Sequence, residues 1–258
     1  MAAREKLYEG KAKILYPTED AEVLLACFKD DATAFNAQKR GTIAGKGEIN
    51  CAISSHLFQQ LEANGIVTHF IDCPAADRMR VRSLKILPLE VIVRNIAAGS
   101  LCQQTGLSLG TVLKFPIVEF CYKNDALGDP LLTRDRILVM ELATPEQLDR
   151  LRSLSLRINQ LLSAFFQQCS ITLVDFKLEF GLDSSQIIVL ADEISPDTCR
   201  LWNQADRDPE SRVMDKDRFR RDLGKVEESY QQVMERVLAQ TLKLPEGSDL
   251  VENSAAIN

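Results

Sequence analysis

Ile171-Thr172-Leu173-Val174-Asp175-Phe176-Lys177-Leu178-Glu179-Phe180-Gly181 is the run on which the reading of this chain turns. Strand alternation places Asp175, Lys177 and Glu179 on one face and Val174, Phe176, Leu178 and Phe180 on the other. A polar turn around Asp183-Ser184-Ser185 follows, and an apolar run, residues 187–191, then leads into Asp192-Glu193. The pattern predicts an antiparallel hairpin. With the turn tip between residues 184 and 186, Asp192 falls opposite residue 177 or 179. Two carboxylates at one end of an apolar hairpin are costly unless compensated. Mg²⁺ bridging to phosphates is the usual compensation. A half-exposed hairpin with alternating charges has the same local pattern.

Outward from this hairpin, residues 12–16 and 22–29 read as strands around the turn signal Pro17-Thr18-Glu19-Asp20. Residues 46–63 read as a helix ended by Asn64-Gly65. Residues 66–72, 81–87, 89–96 and 117–123 are β-rich, with Pro88 at a hinge or edge because it has no N–H for a ladder. Thr144-Pro145-Glu146-Gln147 is a helix start with a capping box. Leu148, Leu151, Leu154, Ile158, Leu161, Leu162, Phe165 and Cys169 then follow helical spacing. Residues 217–240 read as a second long helix, and the polar tail from Pro245 as frayed. The expected division is a small β-rich lobe with one helix, residues 1–88, and a larger α/β lobe, residues 89–258.

Three other segments carry chemistry. In Tyr8-Glu9-Gly10-Lys11-Ala12-Lys13, the glycine admits close backbone approach, and two lysines at i and i+2 on a strand share a face. Such a pair covers phosphates; a solvated lysine edge reads the same way. The GxxxxGK[ST] spacing is absent. In the segment 86–100, an apolar strand delivers Glu90 and Arg94, and Gly99-Ser100 then opens a turn suited to an anion. In Ser195-Pro196-Asp197-Thr198-Cys199-Arg200-Leu201-Trp202, a turn precedes Arg200, which reads as an anion clamp or as a surface Arg stacked on the only Trp.

Composition narrows the classes. The 258 residues are 45% hydrophobic and 26% charged, an ordinary globular balance. A net charge of −6 argues against a broad nucleic-acid surface but leaves room for a local cationic pocket. Seven cysteines without a CxxC pair read as reduced thiols filling apolar space. Cys199 beside Arg200 reads as a buried inert thiol or an activated one. The two histidines, His56 and His69, match no zinc spacing. The N-terminus shows no apolar signal region and no run is long enough to span a bilayer, so the expectation is a cytoplasmic protein without a membrane partner. Neither a GxSxG elbow nor an HExxH motif occurs.

Seven blocks together resemble the phosphoribosylaminoimidazole-succinocarboxamide synthase family. They are LYEGKAK (7–13), GKGEIN (45–50), LPLEVIVRNIAAGS (87–100), YKNDALGDP (122–130), LVDFKLEFG (173–181), ADEISPDTCRLW (191–202) and MDKDRFR (214–220). The resemblance implies a two-lobed α+β fold with an ATP cleft between the lobes, and often a homodimer. It implies that ATP, L-aspartate and carboxyaminoimidazole ribonucleotide give ADP, phosphate and the succinocarboxamide. Carried onto this chain, it makes Lys11 and Lys13 the ATP phosphate loop and Glu90 the adenine hinge. Glu179 and Asp192 become Mg²⁺ ligands, and Arg94, Ser100, Asp175 and Arg200 contacts to the ribonucleotide. Lys123 and Lys177 become charge stabilisers, and Asp175 a candidate base for the aspartate amine.

An acyl phosphate explains why ATP is consumed: a carboxylate acylates poorly, whereas phosphate leaves readily. The protein then works by positioning and charge neutralisation, with no obligatory nucleophile. The chain departs from the family at two places, reading Thr33-Ala34-Phe35-Asn36 and Leu201-Trp202-Asn203 where many members end in Asp. A small-molecule kinase would share the lysines and carboxylates but need no aspartate. A nucleotide sensor would bind without turnover.

Overall fold

The computed structural model describes residues 5–34 and 38–243. Asn36 and the tail from Pro245 lie outside the described residues. The chain opens with β1 (Tyr8–Glu9), β2 (Lys13–Pro17) and β3 (Val23–Phe28), then a separate hairpin of β4 (Asp31–Ala34) and β5 (Lys39–Thr42). Helix α1 (Lys46–Glu62) follows, then β6 (Phe70–Ala75) and β7 (Arg78–Arg82). These build an antiparallel sheet of order β1-β2-β3-β7-β6, with α1 laid across it. The Asp30 carboxylate accepts from the Gly45 and Gly47 amides at 3.1 and 2.8 Å, which satisfies orphan donors at the α1 start. Gly47 permits the close approach, because a Cβ there would lie 2.8 Å from the Phe28 carbonyl.

The second sheet begins with the twelve-residue β8 (Lys85–Ile96). After it come α2 (Ser100–Thr105), β9 (Val112–Tyr122), β10 (Leu131–Leu132), α3 (Arg134–Val139), α4 (Pro145–Gln168) and β11 (Ile171–Leu182). The chain then forms β12 (Ile188–Ala191), β13 (Cys199–Asn203), α5 (Asp217–Arg220) and α6 (Val226–Leu238). The order is β10-β9-β8-β11-β12, with β13 sharing the outer edge of β11. Helix α4 packs on β11, β8 and β9, and α6 packs on α1. One apolar core runs through both sheets, from Phe28, Phe58 and Met79 to Val91, Phe176 and Phe180. Both lobes of the expected α+β fold are thus present.

Several expectations are corrected by local physics. Residues 81–87 and 89–96 are not two strands; Pro88 sits inside β8. It does so where the β8–β11 register shifts and before pairing with β9 begins at Leu89, so no ladder bond is asked of it. Strand β6 starts only at Phe70, because residues 67–69 pair with the other sheet: the His69 amide donates to the Leu190 carbonyl at 2.8 Å, and the Leu190 amide to the Val67 carbonyl at 3.1 Å. A bulge against β13 between Leu173 and Asp175 shifts the parity of β11. Leu173 therefore joins Phe176, Leu178 and Phe180 in the main core, and Val174 packs with Ala98, Trp202 and Val213. The expected helix 217–240 is two helices, because Asp222, Gly224 and Lys225 adopt positive φ.

The capping box of α4 forms as the sequence predicts: Thr144 Oγ1 accepts from the Gln147 amide and Gln147 Oε1 from the Thr144 amide. The helix buries Leu148, Leu151, Leu154, Ile158, Leu161, Leu162 and Phe165 along one side. Thr144→Ala removes one half of the box and is expected to cost about 1 kcal/mol. Equilibrium urea unfolding checks this; an unchanged midpoint would mean the box contributes nothing.

Candidate active site

A cavity of about 730 Å³ opens between the two sheets. Lys11, Lys13, Glu90, Lys123, Lys177, Glu179 and Asp192 all line it. The two N-terminal lysines do not share a strand face as expected. Lys13 is the first residue of β2, whereas Lys11 lies in the turn before it, where the Gly10 amide donates to the Lys13 carbonyl. Lys11 therefore reaches across to Asp125 at 2.7 Å, and Lys13 turns inward. Its ammonium lies 2.5 Å from Asp192 and 3.0 Å from Glu193.

Strand β11 contributes the floor. Lys177 Nζ meets Glu179 at 2.6 Å, Glu90 at 3.0 Å and Asp192 at 3.3 Å, and Lys123 pairs with the other oxygen of Glu179. Glu90 and Glu179 are direct register partners across β8 and β11. Asp192 arrives by a route that alternation does not provide. Ala191 pairs with Glu179, so a regular continuation would send Asp192 to the face of Leu178. The backbone at Asp192 instead adopts φ 66°, which ends β12 and turns the carboxylate toward Lys13 and Lys177.

The result is an alternating chain of charges. Burial alone would lower Lys13 and Lys177; their carboxylate neighbours outweigh it and hold both above the ordinary lysine range. Burial would raise Asp192, but Lys13, Lys177 and Lys123 hold it well below the usual carboxylate range. Lys13, Lys177 and Asp192 thus stay charged at neutral pH, and a wall that alternates in sign suits a polyanion accompanied by a cation.

Arg94, Ser100, Asp175 and Arg200 come together in a second cluster, which is not among the walls of that cavity. Arg94 is buried and donates to Glu119 at 2.6 Å, Ser100 Oγ at 2.9 Å and Asp175 at 3.2 Å. Arg200 donates to the same Asp175 oxygen and to Asp217, both at 2.8 Å. Gly99 makes room, because a Cβ there would lie 2.5 Å from the Arg200 guanidinium. Trp202 is stacked by Arg212 at 3.6 Å, so Arg200 is free of the indole and faces the acids. Burial pushes the Cys199 thiol above its ordinary range, so it is an inert core thiol. Asn203 accepts from Arg236 at 3.1 Å at the end of β13 and so serves a structural contact.

Sequence reading missed a third group. Lys46 is fully buried at the first position of α1, where a cation opposes the helix dipole. Asp197 compensates it at 3.1 Å, and Asp197 also accepts from the Tyr230 hydroxyl at 2.7 Å and lies 3.5 Å from Lys216. Ser195 Oγ links this group to the cavity by accepting from the Asp197 amide and donating to Glu193. The signal was a lysine inside GKGEIN beside the Ser-Pro-Asp turn, but nothing in one dimension pairs residues 46, 197 and 230.

His69 lines the cavity with its ring edge-on to Phe58 at 5.3 Å. Burial and the nearby Lys13 charge lower its pKa to about 3, against about 6.5 in an unfolded chain. Between those values the unfolded chain binds a proton that the folded chain does not. Stability contributed by neutral His69 is therefore complete above about pH 6.5 and is lost as pH falls toward about 3. His69→Phe is expected to flatten the loss of stability between about pH 6.5 and pH 5. Urea midpoints across that range decide it; parallel slopes for both proteins would refute it.

A two-lobed α+β protein whose interlobe cleft is walled by alternating lysines and carboxylates belongs to the class of enzymes that handle nucleotide phosphates. More narrowly, the chain belongs to the SAICAR synthetase family, whose model matches residues 6–237. It is 71% identical over 239 residues to the phosphoribosylaminoimidazole-succinocarboxamide synthase of Trichodesmium erythraeum (strain IMS101), covering 93% of this chain and 99% of that one. It is 72% identical over 238 residues to the protein of the same name from Nostoc sp. (strain PCC 7120), covering 92% and 97%. Among solved structures, it superposes on the synthase from Ehrlichia chaffeensis with a TM-score of 0.88 at 44% identity, covering 92% and 99%. It also superposes on a SAICAR synthetase in complex with ADP with a TM-score of 0.87 at 42% identity, covering 93% and 100%. The chain is thus an enzyme of a ligase family of purine biosynthesis.

Proposed function

We propose that this enzyme joins L-aspartate to the carboxylate of carboxyaminoimidazole ribonucleotide, converting ATP to ADP and phosphate. The observation that carries this reading is the Lys13–Asp192–Lys177–Glu179–Lys123 charge chain along the cavity, tied to the Arg94–Ser100–Asp175–Arg200 cluster by β11, which carries Asp175 as well as Lys177 and Glu179. Lys11 and Lys13 hold the ATP phosphates, and Glu90 sits at the adenine hinge. Arg94, Ser100, Asp175 and Arg200 hold the ribonucleotide. The N-terminal lobe, residues 1–88, carries the nucleotide, and residues 89–258 carry the metal and the second substrate.

Glu179 and Asp192 suit Mg²⁺. Both converge on one cation, the Lys177 ammonium, at 2.6 and 3.3 Å, and a hard ion served by two carboxylates and phosphate oxygens needs that convergence. Mg²⁺ bound there supplies charge neutralisation on the phosphates. The residues of this chain do the rest. Lys177 and Lys123 stabilise charge as the ribonucleotide carboxylate takes the phosphoryl group from ATP. Asp175 has Oδ2 committed to two guanidiniums, so a proton leaving the aspartate amine is accepted at Oδ1. The amine then forms the C–N bond as the acyl C–O bond breaks and phosphate leaves.

The setting is proposed as a cytoplasmic homodimer. Among the described residues no helix is long and apolar enough to cross a membrane. ADP release with Mg²⁺, ATP and the ribonucleotide, measured with and without L-aspartate, tests the function. The expected result is aspartate-dependent ADP matched one-for-one by succinocarboxamide. ADP release indifferent to aspartate would instead identify a kinase or an uncoupled ATPase. ATP binding with no release at all would identify a sensor.

A further inference from the structure

Cys51 on α1 and Cys73 on β6 lie with their sulfurs 3.8 Å apart, and neither lines the cavity between the sheets. The pair is asymmetric: Cys51 is fully buried, whereas Cys73 is exposed on the edge strand of the first sheet. We propose that Cys51 and Cys73 are a modification site that forms a reversible disulfide by exchange with a disulfide-bearing oxidant. The sulfurs must close from 3.8 Å to about 2 Å, a movement open to the exposed Cys73 side chain. Contact with Cys51 and with Ser55, one turn further along α1, brings the Cys73 thiol down to about 7, while contact with Cys73 and burial push Cys51 far up. Cys73 is accordingly the attacking thiolate.

The exchange has two steps. The Cys73 thiolate attacks one sulfur of the oxidant, forms a mixed disulfide and expels the other sulfur as a thiolate. Cys51 gives its proton to solvent and attacks Cys73 Sγ, which closes the Cys51–Cys73 bond and expels the second thiolate. Two protein thiols are oxidised and one external disulfide is reduced to two thiols. The product staples α1 to the sheet edge and closes the loop that contains the 67–69 pairing with Leu190.

Glutathione disulfide on the full chain, followed by alkylation and digestion without reductant, is the test. The expected product is lighter by two hydrogens, yields one peptide pair joined through Cys51 and Cys73, and melts at a higher temperature until dithiothreitol reverses it. Cys51→Ser is expected to retain a glutathione adduct on Cys73. Cys73→Ser, a surface change that leaves the core intact, is expected to lose both the link and the melting shift. A lasting adduct on Cys73 of the unsubstituted chain, a link through another cysteine, or no reaction would overturn the proposal.

Discussion

Asp192→Asn is expected to lower Mg²⁺-dependent turnover by about 10³-fold, the scale of removing one charge from a preorganised phosphate site. The amide is isosteric and, like Asp, tolerates the left-handed backbone found there at φ 66°. The fold should therefore persist, and the loss should be one of chemistry. Lys13 and Lys177 would each lose one of their carboxylate partners, so an excess of positive charge would remain in the cavity wall. Under the proposed assignment, nucleotide would then be retained through the lysines while the proposed metal site is halved. Steady-state rates against Mg²⁺ concentration decide the matter, and near-normal activity would remove Asp192 from the metal site.

Arg94→Met is expected to destabilise the protein by about 3–5 kcal/mol, the usual result of deleting one partner from a buried ionic network. Its guanidinium spans three acceptors, Glu119, Ser100 and Asp175, at the centre of the second sheet. Without it Asp175 keeps Arg200, but the mostly buried Glu119 carboxylate loses its ion pair. Arg94→Lys is expected to recover only part of the loss, because a point charge does not reproduce a planar fork. Urea unfolding of both variants measures this; a midpoint unchanged in Arg94→Met would show that the network carries no stability.

The hairpin of β11 and β12 was legible because a period of two from Val174 to Phe180 is a strong signal, and its register, which sets position 192 opposite Leu178, lies between the two pairings expected. The arrival of Asp192 on the charged face was legible only as a conclusion. The means, a left-handed residue, breaks the alternation on which the expectation stood. Val174 was assigned to the wrong apolar cluster because a bulge depends on the partner strand, which a single run does not contain. The helix expected over residues 217–240 failed at Gly224, where apolar spacing continues through a break that the backbone angles impose. The Lys46–Asp197–Tyr230 group was hidden because its members come from three elements brought together only by the docking of α1 on α6.

The pairing of residues 67–69 with Leu190 makes the protein a book stitched along its spine. His69, whose side chain lines the cleft, belongs to the stitch through its own amide, and Leu190 lies two residues before Asp192. Swinging one sheet away from the other as a rigid leaf would tear these bonds and displace the Asp192 carboxylate. Access for a nucleotide is therefore left to the margin at residues 8–12, where Tyr8 is exposed and the Lys11 side chain crosses to Asp125 through an exposed pair. The margin should breathe and the spine should not. Hydrogen exchange would show this as slow amides at His69 and Leu190 beside fast ones in residues 8–12, and equal exchange in both places would rule it out.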